Sequence, residues 1–177
     1  MRKNIRLKNY DYSQDGLYYI TICVKGRHEI LGTVTVGAII NRPQIANHTQ
    51  IVNRPQPDIR VPRVELSECG RIADQAINGI EKHYPYVSVD KYIIMPDHLH
   101  MILALRNNGG GGRLIIAPTS VSFVVQQLKR CVSKQVGSSI WQKSFHEHVI
   151  RSEPEYQEIW KYIDENPRRW ADGRYGC

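Results

Sequence analysis

VSVDKYIIMPDHLHMILAL, residues 87–105, is the stretch whose reading decides the fold. Residues 87–95 and 98–105 are rich in β-branched and large apolar side chains, and Pro96-Asp97 interrupts them. The pattern predicts two strands joined by a turn. Within 98–105 successive side chains alternate faces, so His98 and His100 share one face while Leu99 points to the other, into the core.

Upstream of this pair, a helical pattern starts at Leu66. Ser67 is placed to cap it, and Ile72, Ala76, Ile77 and Ile80 recur at helical spacing up to His83. Earlier still, LYYITICV (17–24) follows Gly16 and reads as a strand. Between these two lies a segment unlike the rest, 37–63. It holds IINRPQIANHTQ (39–50) and IVNRPQPDIRVP (51–62), an approximate twelve-residue duplication carrying four prolines. Two copies are too few for a solenoid. Prolines and asparagines disfavour helix and central strand, so the segment reads as a surface insertion.

Downstream, NNGGGG (107–112) is a loop. It lacks the Lys-Ser/Thr and the following helix of a phosphate-binding loop. A helix then starts at Thr119 or Ser120 and runs to about Val136, with Val121, Val124, Val125, Leu128 and Val132 on its inner face. Residues 140–145 and 146–151 read as short extended segments. The last helix spans Ser152 to Asn166. Ser152 and Glu155 form a capping-box pattern, Pro154 sits in the first turn, and Asn166-Pro167 is expected to end it. The order β–α–β–β–α–β–(β)–α is too irregular for a doubly wound parallel sheet. It predicts an α+β, ferredoxin-like sandwich, an antiparallel sheet with helices on one face, in a single domain over 1–177.

Composition bounds the function classes. Lysine and arginine number 24 against 17 acidic residues, a net charge of +7 with a pI near 9.3. This moderate excess suits a phosphate-rich partner and equally suits simple solubility. Cys23, Cys69, Cys131 and Cys177 fit no zinc template and read as free thiols of a reducing compartment. Residues 1–16 are polar and basic, with Arg2, Lys3, Arg6 and Lys8 in an arm that reads as a solvated tail, and they lack the apolar core of a signal peptide. No apolar run approaches the roughly 20 residues of a membrane span. The expectation is a cytoplasmic protein with no membrane partner.

Several side chains could carry chemistry. His98 and His100 can chelate a divalent metal from one strand face, or stand as two surface or hydrogen-bonded histidines. His146 and His148 repeat the same spacing, and the pattern alone does not choose between the pairs. On the last helix Tyr162 and Asn166 are one turn apart on one face. A tyrosine oxygen can act as a nucleophile in phosphoryl transfer, and an asparagine carbonyl can ligate a metal. Tyr162 can equally pack with Ile159 and Ile163 as an ordinary amphipathic face. Tyr156 points to a different side of the helix.

Four blocks, YDYSQDGLYYITICV (10–24), YIIMPDHLHMIL (92–103), SIWQKSFHEHVIR (139–151) and YIDENP (162–167), together resemble the HUH-type tyrosine transposases, most closely the REP-associated branch. The blocks come in the family's order and span most of the chain, while 37–63 lies outside the resemblance. The resemblance implies a single-strand DNA transposase core in which His98 and His100 match the histidine ligands, Tyr162 the nucleophile, and Asn166 the polar residue completing the metal site. Many relatives carry Gln where Asn166 stands and Asn where Asp97 stands; Asp97 could add a carboxylate near the metal. HEHVIR matches a structural block.

The activity so implied is metal-dependent cleavage and rejoining of single-stranded DNA at hairpin-flanked sites through a 5′-phosphotyrosine link. Mg²⁺ or Mn²⁺ is the expected metal. Lys129, Arg130, Lys134, Lys143, Arg151, Arg168 and Arg169 are candidate backbone contacts to single-stranded or hairpin DNA, and Trp141, Trp160 and Trp170 could stack on bases, with Trp160 the most suited to the core. Relatives commonly work as dimers, so a homodimer and a monomer both stay open. Two rival readings are a non-cutting hairpin-binding module and a metal-dependent phosphodiester hydrolase using both histidine pairs.

Overall fold

The computed structural model describes residues 11–36, 62–106 and 119–173. The N-terminal basic arm, the duplicated segment 37–61, the loop NNGGGG and Cys177 lie outside the described residues. The elements in chain order are β1 (Gly16–Cys23), β2 (Gly32–Val36), β3 (Pro62–Leu66), α1 (Glu68–Asn78), α2 (Ile80–His83), β4 (Val87–Met95), β5 (His98–Leu105), α3 (Val121–Val136), β6 (His146–Ile150) and α4 (Glu153–Ala171).

β4 and β5 form where the alternation places them, with Met95 opposite His98 across the two-residue Pro96-Asp97 turn. The main sheet runs β4-β5-β1-β6 with every neighbour antiparallel. With α1 leading from β1 towards β4 and α3 from β5 to β6, this is the ferredoxin-like α+β arrangement. β5 is interior and buried along its whole length. Its odd-numbered side chains Leu99, Met101, Leu103 and Leu105 join Tyr18, Ile20 and Ile22 of β1 in the larger core. α1 closes that core with Ala73 and Ile77, and α3 with the five residues its periodicity selects. Both helices start at the serine that the sequence offers: Ser67 Oγ accepts from Gly70 N–H, and Ser120 Oγ from Phe123 N–H.

α1 and α3 cover one face of the sheet, as expected. α4 lies across the other, a placement the helix pattern did not indicate. There Ile163 is fully buried against Ile102 of β5 and Ile150 of β6, with Leu17, Tyr19 and Ile93 around them. Burying such a side chain is worth about 1.5–3 kcal/mol, and it clamps α4 over the even-numbered residues of β5.

Two other expectations are corrected. α4 does not end at Asn166-Pro167 but continues to Ala171 with Pro167 inside it. Proline there removes one helical hydrogen bond. Pro167 is buried, and it borders the same cavity as Val64 and Leu66 of β3 and Ile93 and Ile94 of β4. Tertiary burial outweighs the local stop signal. The sequence predicts a surface insertion over 37–63, yet its last two residues begin β3, which pairs with β2. The duplicated segment therefore sits between the two strands of an antiparallel pair. Of 140–145, only Trp141 makes a bridge, to Val24. No helix among the described residues is long and apolar enough to cross a membrane.

Candidate active site

The even-numbered side chains of β5 lie under α4, and this brings His98, His100, Tyr162 and Asn166 together. The two imidazoles meet with their Nε2 atoms 3.1 Å apart. The Tyr162 ring stands edge-on to His100, 5.4 Å between centroids, and edge-on to Tyr19 at 6.4 Å. Trp170, on the last turn of α4, lies 6.1 Å from the His98 ring.

Each imidazole is anchored by its other nitrogen. His98 Nδ1 lies 2.5 Å from Asp97 Oδ1. An N–H donated there leaves the Nε2 lone pair facing the site. Asp97 therefore sits on the side of the ring away from the Nε2 pair. It orients His98 and is not itself turned towards the site, contrary to its expected role as an added carboxylate near the metal. Its second oxygen, Oδ2, pairs with Arg27 Nε at 2.7 Å. His100 Nδ1 faces the hydroxyls of Tyr19 at 2.7 Å and Thr21 at 2.9 Å. Since a hydroxyl can donate or accept, either tautomer of His100 is satisfied.

Burial pushes the His98 imidazole below the usual histidine value; the Asp97 hydrogen bond and charge oppose this, Arg27 adds to it, and Asn166 gives a smaller upward pull. His100 is held well below the usual value by burial, then by His98 and Arg27. Both rings are therefore neutral near pH 7, the form that ligates metals.

Asn166 completes the cluster. It is fully buried, and its Nδ2 donates to Tyr162 O at 2.7 Å, which leaves Oδ1 buried with no well-formed hydrogen bond beyond its contact with His98. A buried acceptor so poorly partnered is uncommon in a folded protein, and a cation would satisfy it. Among the described residues no group of three or more His, Cys, Asp or Glu converges on a metal-sized site. The candidate donor set is thus two imidazole nitrogens and one amide oxygen. Two metal–nitrogen bonds of about 2.1 Å can meet across a 3.1 Å separation, so these residues fit one divalent cation.

His146 and His148 lie on the exposed edge strand β6, on the same sheet face, with Thr21 of β1 opposite both His100 and His146. His148 Nε2 is 2.6 Å from Glu155 Oε1. The same glutamate accepts from Arg151 N–H at 2.7 Å, while Ser152 Oγ accepts from Glu155 N–H. The capping box is half formed, with the glutamate turned to β6.

The seven candidate DNA-binding cations are not gathered in one groove. Lys129, Arg130 and Lys134 are on α3, and Lys143 lines a surface cavity with Lys129, Arg130 and Trp141 on that side of the sheet. Lys129 is half buried, and its ammonium donates to the carbonyls of Gln142, Lys143 and Ser144. Burial lowers its pKa. Arg151, just after β6, and Arg168 and Arg169, on α4, are exposed. Arg169 lies over the Tyr162 ring at 5.1 Å and pairs with Glu165. Beside them an open groove of about 550 Å³ runs between Tyr19 and the α4 residues Tyr162, Glu165 and Arg169. Trp141 is buried, and Trp160 packs against the smaller core beneath Lys91.

Sequence reasoning missed Tyr19, Thr21 and Arg27. Strand alternation carries a signal for the first two, which share a face of β1. No local pattern announces Arg27.

No family model matches the chain. A Haemophilus influenzae protein of undescribed function is 27% identical over 186 residues, covering 96% of this chain and 89% of that one. A second protein from the same organism, described as "Putative REP-associated tyrosine transposase", is 34% identical over 92 residues, covering 49% of this chain and about half, 52%, of that one. Among solved structures, a REP-associated tyrosine transposase bound to a REP hairpin superposes with a TM-score of 0.57 at 17% identity, covering 93% of this chain and 73% of that one. That likeness shows the fold. In sequence and in fold, the chain is similar to the REP-associated tyrosine transposases, the family that its four sequence blocks resemble.

Proposed function

We propose that this chain is a metal-dependent enzyme that nicks and rejoins single-stranded DNA through a covalent bond to Tyr162, at sites flanked by a hairpin. The observation that carries the reading is the convergence under α4 of two neutral, facing imidazoles, a buried unsatisfied amide oxygen and a tyrosine. The solved relative binds a REP hairpin, which supports the same class of partner here.

His98, His100 and Asn166 would hold Mg²⁺ or Mn²⁺, which supplies charge to polarise the scissile phosphate. The Tyr162 hydroxyl gives up its proton as its oxygen attacks phosphorus, the P–O bond to the 3′ oxygen breaks, and that oxygen leaves and takes up a proton as a 3′-OH. The phosphodiester energy is kept in the 5′-phosphotyrosine bond, so a second 3′-OH can attack it and rejoin strands. Arg169, lying over Tyr162, is placed to meet phosphate charge in the adjoining groove. A flexible single strand permits the in-line approach this attack needs. The engagement of His148 by Glu155 argues against a hydrolase using both histidine pairs.

The test is a denaturing gel of the protein incubated with labelled hairpin-flanked single-stranded DNA from beside its own gene and Mn²⁺. A protein-linked band that vanishes in Tyr162→Phe and His98→Ala supports the proposal. A retained native gel shift without any adduct indicates a binding module, and free cut product without adduct a hydrolase; either outcome refutes it.

A further inference from the structure

After β1 the chain turns sharply through Lys25–Arg27, and Gly26 and Arg27 both adopt left-handed backbone, φ 69° and 58°. Glycine accepts this freely; at Gly26 a Cβ would also come within 2.8 Å of His28 Nε2. For arginine the conformation is unfavourable and persists only when surrounding structure enforces it. Here the enforcement is visible. Arg27 N–H donates to Val24 O, Val24 N–H to Asp97 O at 2.8 Å, and Leu31 N–H to Pro96 O at 2.9 Å. The turn is thereby docked onto the Pro96-Asp97 hairpin that precedes His98.

The consequence is a guanidinium held at two points. Arg27 Nε lies 2.7 Å from Asp97 Oδ2, and Nη1 lies 3.0 Å from Cys23 Sγ. Asp97 is 5% exposed, and its other oxygen faces His98 Nδ1. A buried carboxylate left without a cation is strongly disfavoured and would turn out to water. That turn removes the acceptor that holds His98.

We infer that Arg27 is a positioning residue: by fixing Asp97 it holds His98 as the Nδ1–H tautomer, with the Nε2 lone pair directed at the site. This rests on the metal reading proposed above. Two effects of Arg27 oppose each other. Its positive charge repels a cation, but it lies beyond Asp97, whose negative charge offsets it. The loss of orientation therefore dominates when the side chain is removed.

The experiment uses the full chain with ¹⁵N-labelled histidine. Imidazole nitrogen shifts of the metal-free protein report the His98 tautomer, and Mn²⁺ titration by electron paramagnetic resonance reports affinity. Arg27→Gly keeps the left-handed backbone accessible while removing the guanidinium; Arg27→Met, which keeps the aliphatic stem, carries the same readouts if the glycine variant fails to fold. The expected result is loss of the Nδ1–H signature and roughly tenfold weaker Mn²⁺ binding. In an Asp97→Asn background, Arg27→Gly should add nothing further. An unchanged tautomer and an affinity within twofold of the parent overturn the inference, as does an additional loss in the Asp97→Asn background. A parent protein that binds no Mn²⁺ overturns the metal reading itself, whereas binding that is insensitive to Arg27 overturns only this assignment.

Discussion

Acidification from pH 7.5 to 5.5 in the presence of a chelator should destabilise the protein through His98 and His100. Both imidazoles are lowered from the usual value of 6.5 by burial in the folded chain, and the unfolded chain restores that value. Below pH 6.5 the unfolded state therefore binds protons that the folded state refuses. The stability each group contributes is complete above 6.5 and is lost as pH falls. A histidine that stays neutral in the folded state at pH 5.5 costs RT ln(1 + 10), about 1.4 kcal/mol. That figure is the ceiling for each group: His100, held well below 6.5, comes nearer to it, and His98 gives less, because Asp97 opposes its burial. The expected loss is thus at most about 2.8 kcal/mol over those two pH units. Asp11 and Glu155 are lowered from 3.8 and 4.5, so their losses begin only in more acidic solution. Urea unfolding at pH 7.5, 6.5 and 5.5 measures the effect, and His100→Gln should flatten the dependence by up to about 1.4 kcal/mol. Equal stability at pH 7.5 and 5.5, or an undiminished slope in His100→Gln, would refute the reasoning.

Mn²⁺ at a hundredfold excess over its dissociation constant should stabilise the protein by about 2.7 kcal/mol, read as a rise in urea midpoint. Asn166→Ala should weaken that rise and His98→Ala remove it. Ile163→Ala, at a fully buried side chain that seats α4 on the sheet, should cost about 3 kcal/mol in the same assay and loosen Tyr162 and Asn166 together. Gly70→Ala would bring a Cβ within 1.9 Å of the Leu31 carbonyl oxygen. It should cost about 3 kcal/mol, against a change of a few tenths for substitution at an exposed helical position such as Gln157.

Much of the fold was legible because it is written in local periodicity. The β4 and β5 boundaries follow from two apolar runs around Pro96-Asp97. The buried stripe of α3 is the one its valines and leucine spell out, and three serine caps mark three helix starts. β2 and β3 were missed: each is five residues long, half exposed, and paired across the inserted segment, so no single window holds both partners. The stop at Pro167 misled because a local penalty of one hydrogen bond was outweighed by burial against β3 and β4, which sequence spacing does not report.

The same division holds at the candidate site. Strand alternation placed His98 and His100 side by side, and helical spacing placed Tyr162 above Asn166, because both periods are properties of the backbone alone. With α1 and α3 packed on one face of the sheet, α4 covers the other, and that placement brings the tyrosine edge-on to His100. Asp97 shows the limit most clearly. The sequence put a carboxylate beside the histidines, but the docking of a left-handed turn from β1, with Arg27 on it, decided that it orients His98 from behind. The sequence by itself determined the residues and their local spacing. The tertiary structure decided partners sixty or more residues apart along the chain, because burial and charge pairing depend on what the rest of the fold brings near.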